Sequence, residues 1–436
     1  MTIRYQKLFV NSKMKKTIIL AISLLALNLV NAQQTVLKAK RLIDGTGKVI
    51  EHPVVIIEAK QIVAVGSDLK IPKDAQVIDL GGYTLLPGLI DAHVHPNNNS
   101  DDYQIAHLKG SSAAKALTSL KAVQDLLNAG WTGLRVAGDA DVAYSNFEVR
   151  NAINKGTFVG PHIYGAGHYL SVLGGGGDIN FLSQEQNITP DGLIVSGPEE
   201  VRKAVRTEIK YGSDWIKILE TGAFMTVGDN PQNVHFSPEE LRATVEEANR
   251  RDVPVMAHAH ATEGIKQAVK AGVRSIEHGT YMDDEAIDLM IQHGTYLIPT
   301  LTIDLYFKEI IPESKSLTKA IELAKQSRAT FYAQLRKAIN KGLKIGIGTD
   351  YVGWPANYSA REFQEFVHLG MTPMQAIMAG TKVNAELLKK DKEIGTVEAG
   401  KFADIIAVKG DPLTDITELQ RVKFVMMGGK TIKNEK

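Results

Sequence analysis

Four histidines, a lysine and an aspartate sit where apolar runs end, and those residue types can hold metal ions and activate water. His93 and His95 close the run Leu85-Leu-Pro-Gly-Leu-Ile-Asp-Ala-His-Val-His-Pro96. Residues two apart on a strand share a face, so both imidazoles can reach one cation. Lys217 lies within Asp214-Trp-Ile-Lys-Ile-Leu219, where alternation puts Ile216 and Ile218 on one face and Lys217 on the other. A lone ammonium turned into a core is expensive. It can pair with Asp214 or Glu220 near the surface. It can also react as the free amine with CO2, giving an anionic carbamate whose two oxygens can bridge two cations. His258-Ala-His260, His278 and Asp350 end three further runs. His93 and His95 on one ion, His258 and His278 on a second, carbamylated Lys217 between them and Asp350 beside the first make a site for metal-assisted hydrolysis. Asp350 is then the base that takes the water's proton. The donors are nitrogen and oxygen only, because the chain has no cysteine; that suits two divalent ions, Zn2+ first.

The elements that must present these residues repeat. Eight short apolar runs alternate with helical patterns: Leu85–Ile90, Trp131–Val136, His162–Gly165, Trp215–Leu219, Val253–Ala257, Val273–Ile276, Tyr296–Ile298 and Leu343–Ile347. Eight βα units predict an α/β fold, a (β/α)8 TIM-type barrel over residues 83–390, with chemistry at the carboxyl ends of its strands. Short β segments at residues 33–82 and again at 391–436 are each too few to bury a core. They are expected to pair into a small β-sandwich built from both chain ends.

Composition agrees with an enzyme. The 436 residues carry 44% hydrophobic and 6% aromatic residues and a net charge of +1, and no basic stripe invites nucleic acid. Met14-Lys-Lys16, the apolar stretch Thr17–Val30 and the small-residue site Val30-Asn-Ala32 predict a signal peptide within residues 1–32, preceded by an upstream extension. Its removal takes away five cations and moves the charge from +1 to −4. The expectation is an exported protein, periplasmic or secreted, with no membrane attachment after cleavage. Oligomeric state is left open, with a homo-oligomer admitted.

The order His-x-His, Lys, His, His, Asp along such a barrel resembles the amidohydrolase superfamily. Ile276-Glu-His-Gly-Thr280, Gly370-Met-Thr-Pro373 and Gly395-Thr-Val-Glu-Ala-Gly-Lys-Phe-Ala-Asp404 are similar to its imidazolonepropionase-related branch, with its binuclear zinc prolidase-like dipeptidases and ochratoxin-hydrolysing amidases. The resemblance implies that His93, His95, Lys217, His258, His278 and Asp350 are metal ligands. It also implies that the substrate is a small amide, either a dipeptide or an N-acyl amino acid. One departure stands out. Gly174-Gly-Gly-Gly-Asp178 has Gly176 where the branch has a histidine. His168 is the expected substitute, and His260 is expected to touch substrate beside it. Opening of a cyclic amide or lactone, phosphotriester hydrolysis, and a non-catalytic metal- or solute-binding role are the rival functions.

Overall fold

The computed structural model describes residues 33–435 apart from 99, 101, 142 and 316, and the expected leader over residues 1–32 lies outside the described residues. Among them no helix is long and apolar enough to cross a membrane. The chain opens with β1 (Thr35–Lys38), β2 (Arg41–Ile43), β3 (Val49–Glu51), β4 (Val54–Glu58), β5 (Gln61–Gly66), β6 (Gln76–Asp79) and β7 (Thr84–Pro87). The central strands are β8 (Leu89–Val94), β9 (Trp131–Ala137), β10 (His162–Ala166), β11 (Tyr169–Ser171), β12 (Leu193–Ile194), β13 (Ile216–Leu219), β14 (Val255–Ala259), β15 (Ser275–His278) and β16 (Tyr296–Ile298). β17 (Ile405–Val408), β18 (Phe424–Met427) and β19 (Lys430–Asn434) follow.

The two chain ends do pair. One sheet runs β19-β18-β17-β7-β2-β3 and another β5-β4-β1-β6. In the first, β7 and β17 are antiparallel, with Pro87 opposite Ile405 and Thr84 opposite Val408. Period-2 alternation explains how the sheets meet. Leu37, Val55 and Ile57 from one share a buried cluster with Leu85, Ile405 and Phe424 from the other, while Val36, Val54 and Ile56 face the opposite way.

The central strands are parallel, in the orders β10-β9-β8 and β12-β11-β13-β14-β15-β16, with helices between them. Capping residues set several helix starts. Ser237 and Glu240 form a reciprocal capping box on Pro238–Asn249, with Pro238 in the first turn.

Three expectations need correction. The run Leu85–Ile90 is not one strand: Gly88 divides it, and β7 joins the terminal sheet while β8 joins the central one. A Cβ at Gly88 would lie 2.0 Å from the Thr132 hydroxyl, so only glycine lets the chain pass that close. The run Leu343–Ile347 is not a strand, although its backbone bonds to both neighbours. Leu297 N donates to Lys344 O at 2.9 Å, and Ala92 N donates to Ile347 O at 2.9 Å. The ladder is replaced in part by Asn384, whose amide donates to Ile90 O and Ile347 O at 2.7 Å each and which occupies the space beside Gly346. Finally, β11 and β12 are strands beyond the eight expected runs; β11 lies in the glycine-rich stretch after β10 and β12 follows that stretch.

One buried acid in this scaffold has a measurable consequence. Glu220 follows β13 on the face opposite Lys217, packed beside Gly264 of helix Thr262–Ala271. Burial pushes its carboxyl up to about 9, opposed by the Phe236 amide and reinforced by Glu240. The folded pKa is therefore above the unfolded one. Between about 4.5 and 9 the folded chain holds a proton that the unfolded chain has lost, so stability falls as pH rises across that window, by about 3 kcal/mol at pH 7. Glu220→Gln is expected to flatten that slope and raise Tm at pH 8 more than at pH 5. Equal Tm shifts at the two pH values would refute the assignment.

Candidate active site

The polar residues that end the central strands meet. His95, Lys217, His258, His260, His278 and Asp350 line one cavity of about 1000 Å³, open mouth included, and His93 lies buried beneath them. Asp350 Oδ1 is 3.3 Å from His95 Nε2 and 3.5 Å from His93 Nε2. The His93 and His278 rings are 5.0 Å apart, and those of His258 and His278 are 4.5 Å apart. Two sets bring their donor atoms within 4.8 Å of one another: His258 with His260 and His278, and His93 with His278 and Asp350. His260 is thus as close to the cluster as the expected ligands.

Each imidazole has one nitrogen occupied, which aims the other. His93 Nδ1 lies 2.7 Å from Glu277, His95 Nδ1 2.5 Å from Gly138 O, His258 Nε2 3.3 Å from Gly222 O and His278 Nδ1 2.7 Å from the Thr300 hydroxyl. A carbonyl or carboxylate can only accept, so His93, His95 and His258 carry a proton on those nitrogens, whereas the Thr300 hydroxyl can serve His278 Nδ1 in either role. His93 Nε2 is buried with no hydrogen-bond partner. That is the arrangement a cation would complete.

Electrostatics supports the same chemistry. Burial, reinforced by neighbouring cationic groups, holds His93, His258 and His278 well below the usual imidazole range, so they are neutral donors. Burial and Lys217 bring His260 to about 3. Burial pulls Lys217 down to about 8 against the opposing pull of Glu277 and Asp350, leaving a fraction of free amine near neutrality. Burial alone would raise Asp350, but His95, His93 and Lys217 outweigh it and keep the carboxylate ionised. The backbone is strained at the same place: His278, Thr300 and Asp350 have φ of 71°, 53° and 59°, a left-handed conformation unfavourable for L residues.

His168 is a correction. Its Nδ1 bonds Glu208 at 2.9 Å and its ring packs on Tyr144 at 4.4 Å; it does not line the cavity and does not replace the missing histidine. Gly176 does line it, and a Cβ there would meet Leu219 and Ala223 at 3.1 and 3.2 Å. Phe224 also lines it.

Several residues that hold the site were not anticipated. Glu277, next to His278, accepts from His93 and takes two bonds of 2.8 Å from Arg135, both residues being fully buried. Arg135 sits in the apolar run of β9, and a charge inside such a run was the available signal. Asp91, raised to about 7 by burial, accepts the Thr349 hydroxyl at 2.6 Å and so ties β8 to the segment carrying Asp350. Glu277→Gln leaves the Arg135 guanidinium buried without its counter-charge. The expected cost is about 3–5 kcal/mol of stability in urea denaturation; a loss below about 1 kcal/mol would show that Asp91 or solvent replaces Glu277.

Residues 84–432 match the amidohydrolase family, and the chain belongs to it. It is accordingly a hydrolase of C–N amide bonds, in the branch that holds the imidazolonepropionases and the prolidase-like enzymes. Ochratoxinase from Aspergillus niger is 34% identical over 429 residues, covering 92% of this chain and 87% of that one. Imidazolonepropionase from Cutibacterium acnes is 23% identical, covering 82% of this chain and 84% of its own. Among solved structures, a Xaa-Pro dipeptidase with methionine bound in its active site is 35% identical with a TM-score of 0.85, covering 92% of this chain and all of the other. The A. niger ochratoxinase structure superposes with a TM-score of 0.81, covering 93% and 96%.

Proposed function

We propose that this chain is an exported amidohydrolase that uses two divalent ions, Zn2+ first, to cleave the amide bond of a dipeptide or N-acyl amino acid. The observation that carries this is the convergence of His93, His95, Lys217, His258, His278 and Asp350 around one cavity, with His93, His258 and His278 held neutral by burial and an orphaned, buried His93 Nε2. Relatives named for ochratoxin and for Xaa-Pro dipeptides support the substrate class. On this reading the parallel strands and the segment 343–351 close as a (β/α)8 barrel, and the two terminal sheets form a β-sandwich appended to it.

His93 and His95 would hold one ion and His258 and His278 the other. Lys217, as the carbamate formed when its free amine adds to CO2 and loses a proton, would join them. Bound ions supply the acidity that lowers the pKa of water and polarises the scissile carbonyl. The rest falls to side chains. Asp350 takes the proton of the attacking water and returns it to the leaving nitrogen as the C–O bond forms and the C–N bond breaks, giving an acid and an amine. Thr280, 2.8 Å from His260 Nδ1, can donate its hydroxyl proton there. That leaves His260 Nε2–H to bind the carbonyl oxygen. The test is amine release from a library of dipeptides and N-acyl amino acids, using protein produced with Zn2+ and bicarbonate and assayed for bound metal. Metal-loaded protein that turns over no member would exclude the substrate class.

A further inference from the structure

The cavity wall above the candidate ligands carries an ion pair that this reaction leaves unused. Two residues separate β16 from helix Leu301–Glu309, and the 23-residue helix Thr318–Asn340 packs against it. Ile303, Phe307 and Phe331 give the wall an apolar face, and Asp304 and Arg328 stand among them. Arg328 Nε donates to Asp304 Oδ2 at 2.5 Å and Nη2 donates to Oδ1 at 2.7 Å. That fork engages two of the five guanidinium N–H groups. Among the described residues no third hydrogen-bond partner takes the others.

We infer that Arg328 receives a carboxylate of the substrate, an inference that rests on the amide-hydrolase reading above. Three observations support it. Arg328 lines the cavity, and the N–H groups that Asp304 leaves unengaged lie in one plane, which matches a carboxylate. Asp304 locks the plane of that fork and neutralises it, so the apolar wall does not carry an unpaired charge before substrate arrives; attraction then comes from directed donors rather than net charge. The placement is also suitable. Thr300 bonds His278 at 2.7 Å, and Asp304 lies one helical turn further on, about 6 Å along the axis. Through Asp304 the guanidinium is thus held one helical turn beyond the residue that bonds His278, on the wall of the same cavity. The carboxylate can be the α-carboxylate of the released amino acid or an acidic side chain.

Matched pairs separate the sources. N-acetyl-phenylalanine against its carboxamide reads the α-carboxylate, and N-acetyl-glutamate against N-acetyl-glutamine reads the side chain, each with the zinc-loaded enzyme. The expected result is a preference of about 10- to 100-fold in kcat/KM for the charged member of one pair, carried by KM, that collapses toward unity in Arg328→Gln. Arg328→Lys should restore only part of it, because an ammonium cannot reproduce the fork. If Arg328→Gln is poorly folded, the double variant Arg328→Gln with Asp304→Asn removes both charges together and should show the same collapse. A preference that survives either variant overturns the inference while leaving the amide-hydrolase reading in place, as does a preference for N-acetyl-lysine that Asp304→Asn abolishes. Failure of the wild type on these compounds and on every member of the dipeptide library above removes the reading itself and the inference with it.

Discussion

Asp350→Asn is expected to lower kcat by about a thousandfold, the scale of a lost general base, with the fold intact. Asparagine is the informative replacement for a backbone reason. Position 350 has φ of 59°, and asparagine is among the few L residues that adopt this conformation readily. The backbone bond from residue 350 N to His93 O, 2.8 Å long, is independent of the side chain. The variant should therefore keep its Tm within a few degrees while losing the acceptor for the water's proton. Steady-state kinetics on the best substrate, with bound metal measured on the same sample, checks both halves. Retained metal with retained turnover would remove Asp350 from proton transfer.

Lys217→Ala is expected to cost as much by a different route. If Lys217 supplies the bridging anion proposed above, its loss removes several kcal/mol of charge stabilisation, on the order of a thousandfold in rate, together with bound metal. The smaller side chain also leaves room, so acetate or propionate added at millimolar concentration should recover part of the activity. Lys217→Arg should gain nothing from bicarbonate, because a guanidinium has no free amine at these pH values. Wild-type protein stripped of metal and reloaded with Zn2+ should regain activity faster with bicarbonate than without it, and faster at pH 8 than at pH 6.5, since the free-amine fraction rises through about 8. Bicarbonate-independent reloading at both pH values would refute the carbamate.

The residues that cluster in the cavity were legible because alternation and strand ends are local patterns. His93 and His95 could be placed on one face, and Lys217 opposite Ile216 and Ile218, without knowing any contact. What escaped depends on distant partners. Glu277 reads as one more strand residue until Arg135, 142 positions earlier, is seen to grip it. Asn384 gives no hint that it replaces ladder bonds between Ile90 and Ile347. His168 looked suitable because it precedes the glycine-rich stretch, yet Glu208, on the following helix, turns it away from the cavity. Arg328 and Asp304 belong to two helices whose packing no periodicity specifies.

The pairing of β7 with β17 also bears on how the chain is made. β7 runs directly into the strand that carries His93 and His95, yet one of its two neighbours lies more than 300 residues downstream. On the ribosome, at about 5–20 residues per second, Leu85 and Leu86 are out for at least about fifteen seconds before Ile405 and Ile406 can cover them. An apolar edge left open for that long is a template for pairing with other chains, and a chain that folds only after β17 is available would avoid that exposure. The final seal beside the strand that leads to His93 and His95 thus forms only after β17 has been made.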